Sequence, residues 1–424
     1  MFSVTQVPDN CTEFETPISG LGFERNHLLH RTTPDSSLET HVYSNPGSVV
    51  GHFITHSSTF SYWTFGVHVG QLDRLTFYSP KRKRIVGYFI DCRKGSSTWK
   101  RRLALGFAPS VRRKLIIPCG VAHTFKGVDG VVTRNDLALF SGPSSSDSWN
   151  VVDDNIVFPW NRRGVERAPE VDANSWEIPL NVSTLFYQMQ QEILAKGLKV
   201  ALTSRKSTTR KNTAATPAVE GAVSLPRLRW RFEGCAFGTN RFDSIALKSW
   251  MIIPTTASCV MDFAILKLVQ KPRYYRFESN QNVLHTFLDH EGSLVRVELV
   301  DLRKDSLTYK RSASVAFKCD PRFHLKIPAG IAYRYAGHGR YAVRVEREVF
   351  SDQKKVSQLL PATAQVSTLT DSQIQSFDGI RPSNRLISTA KHQEISARGF
   401  ELMRACEVEL SCDLSARSRR KYSI

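Results

Sequence analysis

Short apolar runs separated by turn residues fill two long stretches of the chain, residues 49–140 and 228–349. Each run is about four to ten residues long and is bounded by glycine, proline, serine or asparagine, which is typical of strands. Many short strands of this kind predict an antiparallel sandwich or barrel. Strands do not alternate with long helical segments, so the pattern excludes a doubly wound α/β fold.

The predicted strands cover residues 49–55, 60–69, 74–78, 85–92, 101–107, 114–117, 123–127 and 131–140, and then 228–232, 250–254, 259–269, 274–278, 283–287, 294–302, 312–317, 324–327 and 341–349. Residues 1–45 are polar and turn-rich, which predicts short strands and loops. Two segments, 183–196 and 389–410, carry apolar residues at helical spacing and are predicted to be helices.

Residues 204–220 are the best candidate for a linker. They are rich in threonine, serine, alanine and basic residues and contain few large apolar side chains. Such a segment cannot bury enough apolar surface to offset the conformational entropy that it would lose on folding. We therefore predict four parts. They are a first β domain with a trailing helix (1–197), a basic flexible linker (198–225), a second β domain (226–385), and a C-terminal helix with a basic tail (386–424).

One twelve-residue pattern occurs twice. Residues 90–101 and 300–311 both read apolar-Asp-x-Arg-Lys-x-Ser-x-Thr-aromatic-Lys-Arg. In each copy a Thr-Phe pair begins 15 residues before the aspartate (Asp91 or Asp301), and a proline lies 27 residues after that aspartate. Collinear matches 210 residues apart predict the internal duplication of a whole domain. Because the aspartate and the arginine persist in both copies, we expect them to serve the fold as ion pairs at a turn.

The formal net charge is +19, which favours anionic partners. Basic runs are also typical of solvated turns. The eight cysteines are scattered without a Cys-x-x-Cys pair, which argues against a zinc ribbon or a disulfide scaffold and favours a reduced, cytoplasmic setting. No apolar run approaches the roughly 20 residues that cross a bilayer, and the first residues do not resemble a secretory signal, so we expect no membrane association.

Residues 118–123 read Pro-x-Gly-x-x-His, a cupin-type signature. Two further features accompany this signature: the motif at 90–98, and the segment Gly66-Val67-His68, whose histidine lies 23 residues before Asp91. Together the three resemble the dTDP-4-dehydrorhamnose 3,5-epimerase family. The resemblance covers roughly residues 60–160 and, more weakly, 270–350. It implies an all-β fold of two tandem antiparallel jelly-roll (cupin-like) domains with flanking helices, as a divergent tandem duplication.

The resemblance also implies an activity and a set of site residues. In this family a histidine paired with an aspartate removes the proton next to the 4-keto group of a nucleotide sugar, and a tyrosine returns a proton. Such a reaction needs a base with a pKa near neutrality and an oriented partner. His68 matches the family's base, and His123 matches the second active-site histidine. The orienting aspartate falls just before Asp153, which we take as its candidate. Gln71 and Arg74 could reach a substrate diphosphate, or could be ordinary strand-edge residues.

No cofactor is expected, because the family is metal-independent, and a metal site would have to recruit His52 and His56. The family's tyrosine position falls near Phe140, so no phenol is evident there. In the second copy the two histidine positions hold Glu278 and Tyr333, which predicts a pseudo-domain without chemistry. We expect Glu278 to be an exposed strand residue.

The sequence leaves open whether the chain is an enzyme. The leading hypothesis is an epimerase-like or isomerase-like protein that abstracts a proton beside a carbonyl, in the first domain only. The alternative is a non-catalytic tandem cupin that binds an anionic ligand or acts as a protein-interaction scaffold. Nucleic-acid binding ranks below both, because the basic runs lack interleaved aromatic residues. The duplication is compatible with a homodimer or with an intramolecular pseudo-dimer.

Overall fold

The computed structural model describes residues 2–32, 38–42, 51–141, 155–178, 225–228, 232–246, 248–253, 260–288, 293–350, 366–382 and 386. These residues form almost entirely antiparallel strands in four main sheets, with two short helices, and this confirms the all-β prediction. Neither of these helices is long and apolar enough to cross a membrane. The predicted helices at 183–196 and 389–410 and residues 198–224 of the linker predicted over 198–225 lie outside the described residues. The domain boundaries stay predictions.

The N-terminal half contributes sixteen strands and one helix. The strands are β1 (Val4–Gln6), β2 (Phe14–Glu15), β3 (Gly22–Arg25), β4 (Leu28–Thr32), β5 (Leu38–Val42), β6 (His52–Thr55), β7 (Thr64–His68), β8 (Gln71–Tyr78), β9 (Ile85–Asp91), β10 (Arg102–Phe107), β11 (Ser110–Ile117), β12 (Val121–Lys126), β13 (Val132–Asn135), β14 (Ala138–Ser141), β15 (Asn155–Pro159) and β16 (Trp176–Glu177). Helix α1 (Arg162–Glu166) follows β15.

Strands β6 to β13 have jelly-roll connectivity, because the chain crosses between two sheets at every connection except the β9–β10 hairpin. One sheet has the order β1-β10-β9-β12-β7-β15. The other includes the order β6-β13-β8-β11-β3-β2. The two sheets face each other across an apolar core and form the N-terminal sandwich.

The C-terminal half repeats this arrangement. Its strands are β17 (Ala236–Thr239), β18 (Arg241–Ala246), β19 (Ser249–Ile253), β20 (Val260–Leu268), β21 (Tyr274–Glu278), β22 (Gln281–Phe287), β23 (Leu294–Asp301), β24 (Ser312–Lys318), β25 (Phe323–Ile327), β26 (Ile331–Ala336), β27 (Gly339–Val349) and β28 (Val366–Thr370), followed by helix α2 (Asp371–Ser376). The sheet orders are β17-β25-β22-β27-β20-β5-β4 and β24-β23-β26-β21-β28, and they form the C-terminal sandwich.

The two sandwiches exchange a hairpin. The β4–β5 hairpin of the N-terminal half extends the C-terminal sandwich, where Val42 of β5 pairs with Phe263 of β20. The β18–β19 hairpin extends the N-terminal sandwich, where Ile252 of β19 pairs with Phe53 of β6. Separating the sandwiches would therefore break strand pairing as well as apolar packing.

A third apolar core lies between the two facing sheets. It contains Phe53, Tyr78 and Val132 from the N-terminal sandwich and Phe263 and Ala342 from the C-terminal one. Burying each large apolar side chain contributes about 1.5–3 kcal/mol. The junction is thus built like the interior of a domain.

Two buried ion pairs, 210 residues apart in sequence, accompany this junction. Arg134 Nε lies 2.8 Å from Asp136, and Arg344 Nη2 lies 2.6 Å from Glu346. Arg134 also donates to the carbonyl oxygen of Val42 over 2.6 Å. Buried charges require such partners, because burial of an unpaired charge is costly.

The repeated motif forms the same turn in both halves. The guanidinium of Arg93 donates to both carboxylate oxygens of Asp91 at 2.8 Å, and Arg303 binds Asp301 at 2.8–2.9 Å. The motif's serine and threonine also donate to each aspartate. These contacts confirm the predicted ion pairs at a turn. Burial alone would raise the pKa of Asp91, but the donors lower it to about 2.

Most of the predicted strands are present, with ends that shift by a few residues. The run predicted over 131–140 is two strands, β13 and β14, interrupted at Asp136 and Leu137. Strands β15, β16, β17, β18, β26 and β28 were missed, and the strand predicted over 228–232 lies largely outside the described residues.

Candidate active site

His68 and His123 face the interior of the N-terminal sandwich from adjacent strands, with His123 paired opposite Gly66. Along β7, Phe65 and Val67 pack into a cluster on the outer face of the sheet. Because side chains alternate along a strand, His68 points inward. The two imidazole ring centroids are 5.8 Å apart.

A buried carboxylate, Asp73, faces both histidines from β8 in the opposite sheet. Its Oδ2 lies 3.7 Å from His68 Nε2 and 3.5 Å from His123 Nε2. Its Oδ1 accepts hydrogen bonds from the side-chain amides of Gln71 at 2.6 Å and Asn135 at 2.8 Å. One oxygen is therefore anchored by the protein, and the other is directed at the two imidazoles.

The electrostatics of the cluster favour an ionised aspartate and a neutral His123. Burial alone would raise the pKa of Asp73, but the two histidines and the two amide donors outweigh it and the pKa is lowered. Burial lowers the pKa of His123, and the Asp73 charge opposes that shift only in part. A neutral imidazole beside a carboxylate can accept a proton and has the charge to stabilise the imidazolium that forms.

Two further titratable groups lie close to Asp73. Burial lowers the pKa of His52, which pairs with Asn135 across β6 and β13, to about 4 despite the opposing Asp73 charge. Burial, and then the charge of Asp73, raises the pKa of Tyr62. The Tyr62 hydroxyl lies 3.1 Å from His56 Nε2.

The orientation of His56 fixes this contact. Its Nδ1 lies 2.9 Å from the carbonyl oxygen of Val131, which can only accept a hydrogen bond. In the neutral ring Nδ1 therefore carries the proton, and Nε2 accepts from the Tyr62 hydroxyl. The segment that carries His56 is also bound by the β18–β19 hairpin, because the backbone N–H of Ser57 donates to Ser249 Oγ of β19 over 2.9 Å.

The structure brings together three of the five residues selected from the sequence. His68, His123 and Gln71 surround Asp73. Arg74 follows Asp73 directly and so lies on the opposite face of β8, near Lys114 and Asp136. The structure does not place it with the histidines. Asp153 lies outside the described residues.

Asp73 was missed by the sequence analysis, although a signal for it exists. Once β8 is known to be half-buried, alternation places Gln71, Asp73, Leu75 and Phe77 on one face, and the last two belong to the interior core. Gln71 and Arg74, the pair selected from the sequence, differ in parity and cannot both face the interior.

The same cluster is the set of described residues that could hold a metal ion. Ligand atoms of His68, Asp73 and His123 all lie within 4.8 Å of one another. Two imidazoles and a carboxylate suit zinc or another first-row transition metal. The expectation that no metal is needed stays a prediction.

The equivalent position in the C-terminal sandwich is closed by a direct hydrogen bond. Tyr333 donates its hydroxyl proton to Glu278 over 3.0 Å, and both side chains are buried. The expectation of an exposed Glu278 is therefore wrong, because β21 turns this residue inward as β7 turns His68. Nearby, His285 Nδ1 lies 2.8 Å from the hydroxyl of Tyr335.

No protein-family model and no curated protein matches the chain. Among solved structures it is similar to a dTDP sugar isomerase from Desulfovibrio desulfuricans G20, at 16% identity and a TM-score of 0.26 over 36% of this chain and 92% of that one. It is similar to dTDP-4-dehydrorhamnose 3,5-epimerase from Bacillus anthracis, at 15% identity and a TM-score of 0.26 over 40% and 97%. It is also similar to the recombinant pro-11S globulin of pumpkin, at 10% identity and a TM-score of 0.24 over 90% and 98%.

These likenesses are distant, so the roles of individual residues must come from the site itself.

Proposed function

We propose that the chain is an epimerase-like or isomerase-like protein that abstracts a proton next to a carbonyl group, with its site in the N-terminal sandwich. The observation that carries the proposal is the single buried carboxylate, Asp73, shared by His68 and His123. A base of near-neutral pKa with an oriented carboxylate partner is what removal of a proton α to a ketone requires.

In the proposed reaction His68 takes the proton as the carbon–hydrogen bond breaks, and the electron pair moves onto the carbonyl oxygen to form an enolate. Asp73 balances the charge of the resulting imidazolium. Return of a proton to the opposite face of the carbon would invert the centre and re-form the ketone. We assign that step to Tyr62, whose hydroxyl lies 3.1 Å from His56 Nε2 and which is close enough to Asp73 for that charge to act on it. The phenol would give its proton to the carbon, and the proton held by His68 would return to the phenolate through solvent before the next turnover.

The substrate class we propose is a nucleotide 4-keto sugar. Its anionic diphosphate suits a chain of net charge +19, and its ketone supplies the acidic proton. Gln71 is committed to Asp73, and Arg74 lies on the other face of β8, so the diphosphate would be held by other residues.

We further propose that the two sandwiches arose by duplication and form an intramolecular pseudo-dimer, in which the C-terminal copy kept the fold and lost the chemistry. The matching turns at Asp91 and Asp301 support this, as do the reciprocal hairpins.

Solvent deuterium incorporation into a panel of nucleotide 4-keto sugars tests the proposal. We expect the wild-type chain to catalyse exchange, His68→Ala to abolish it, and Glu278→Ala, the matched change in the C-terminal sandwich, to leave it intact. Absence of exchange with every sugar would favour the alternative, a non-catalytic tandem cupin that binds an anionic ligand or a protein partner.

A further inference from the structure

A cleft of about 170 Å³ lies at the junction of the two sandwiches. Its apolar wall comes from both halves: Tyr78 and Val132 from β8 and β13, and Leu288 and Ala342 from the C-terminal sandwich. All four belong to the core between the facing sheets and are buried. None of the residues of the histidine–aspartate cluster lines this cleft.

The rim of the cleft is basic. Its described lining contains three cations, Lys81, Lys83 and Arg340, against one carboxylate, Asp129. Lys83 pairs with Asp129 through its Nζ, so that carboxylate is already engaged. Lys81 and Arg340 are exposed at the mouth.

The size of the cleft limits what it can hold. A cavity of about 150 Å³ lined by apolar side chains accepts a benzene molecule. Drug-sized ligands usually occupy about 300–1,000 Å³. The cleft is therefore suited to a single ring, whereas a nucleotide sugar is too large for it.

We propose that this cleft binds a small carboxylate or phosphate monoester that carries one aromatic ring. The ring lies against Tyr78, Pro80 and Val132, and the anionic group lies at the mouth between Lys81 and Arg340. Apolar walls with a few convergent charged groups are the usual composition of small-molecule sites. Because the ligand contacts both sandwiches, it stabilises their junction.

The cleft also adjoins the segment that leads to Tyr62. Ser58 and Gly130 line it, and the backbone N–H of Gly130 donates to the carbonyl oxygens of His56 and Ser57 at 3.0 and 3.1 Å. A ligand in the cleft therefore rests against the loop that positions His56. The binding proposal does not depend on the proposed reaction.

The experiment uses the full chain and measures binding of benzoate and phenyl phosphate by calorimetry, with thermal unfolding in parallel. We expect saturable binding, a raised Tm, and an affinity that falls with salt. Arg340→Gln should weaken binding at least tenfold, while Arg340→Lys should retain most of it. Lys271→Gln removes another exposed cation outside the cleft and should have no effect.

A further variant tests the apolar wall, since Ala342→Leu fills the cleft and should abolish binding. If that variant does not fold, the Arg340 variants still decide the question. Three outcomes would overturn the proposal: no binding of either probe, equal losses in Arg340→Gln and Lys271→Gln, or inorganic phosphate binding as tightly as phenyl phosphate.

Discussion

The backbone N–H of Gly120 donates to the carbonyl oxygen of His68 over 2.7 Å. Gly330 makes the same bond, also 2.7 Å long, to Glu278. The turn of the Pro-x-Gly motif thus binds the backbone at the end of β7 and of β21 in the same way, although the side chain at that position is His68 in one strand and Glu278 in the other. The position of the catalytic candidate is a property of the fold, and its chemistry depends on the side chain alone.

Replacing Gly120 by alanine should destabilise the protein. Gly120 has φ +76°, and an added Cβ would lie 2.4 Å from Arg93 Cγ. The left-handed backbone alone costs about 1–2 kcal/mol for a residue with a side chain. Gly330→Ala, with φ +84° and Cβ 2.6 Å from Arg303 Cγ, should cost a similar amount. Urea unfolding measures both, and deuterium exchange should fall more in Gly120→Ala. An equal effect on exchange would contradict our assignment of the site to the N-terminal sandwich.

Asp73→Asn should reduce deuterium exchange at least about 100-fold, since a general base with its partner contributes about 10²–10⁴. Loss of the carboxylate charge should also lower the pKa of His123 further, because Asp73 raises it. Histidine NMR titration measures this shift. Asp172→Asn, which changes an exposed carboxylate, is the control. An unchanged His123 pKa in Asp73→Asn would show that the two groups do not interact.

The buried His52 should make the protein sensitive to acid. Its pKa is about 4 in the folded chain, against 6.5 for a histidine that is exposed to water. Between pH 4 and pH 6.5 the unfolded state therefore binds more protons than the folded state. The free energy of unfolding should therefore decrease as the pH falls from 6.5 to 4, by up to about 3 kcal/mol from this group. Urea unfolding at pH 7 and pH 4.5 measures the loss, and His52→Gln should reduce it. The same pH dependence in the variant would assign the effect to other groups.

The buried pair of Arg344 and Glu346 should behave as a unit. Arg344→Met leaves Glu346 buried without its 2.6 Å partner and should cost about 3–5 kcal/mol. Arg344→Met combined with Glu346→Leu should recover much of that loss, because an apolar pair can replace a buried ion pair. A double-mutant cycle by urea unfolding measures the coupling. Strictly additive losses would argue that the pair contributes no mutual stabilisation.

Chelation should not affect the proposed chemistry. If His68 acts as a base, exchange should survive dialysis against EDTA, and added zinc should inhibit by occupying the ligand atoms of His68, Asp73 and His123. Metal analysis before and after dialysis checks that the ion has been removed. Exchange that is lost with the metal and restored by zinc would give the role to a metal centre.

The sequence was most informative where structure is local. The turns at Asp91 and Asp301 could be predicted because every side chain described as donating to these two carboxylates lies within seven residues of its aspartate. Asp73 was harder to select, since His68, His123 and Asn135 are on other strands and only the strand parity distinguishes it from Arg74. The exchange of hairpins was also beyond prediction, because the pairing of β5 with β20 depends on how two complete sheets meet.

The reciprocal hairpins have a consequence for how the chain is made. A ribosome releases β6, with His52 at its start, well before residues 241–253 that later pair beside it. Until then the growing chain presents an open strand edge, which can pair with another nascent copy. The residues of the candidate site are therefore synthesised early, but their sheet is complete only after the β18–β19 hairpin has been made. A chain that ends between the two halves should lack the complete sheet that supports the site.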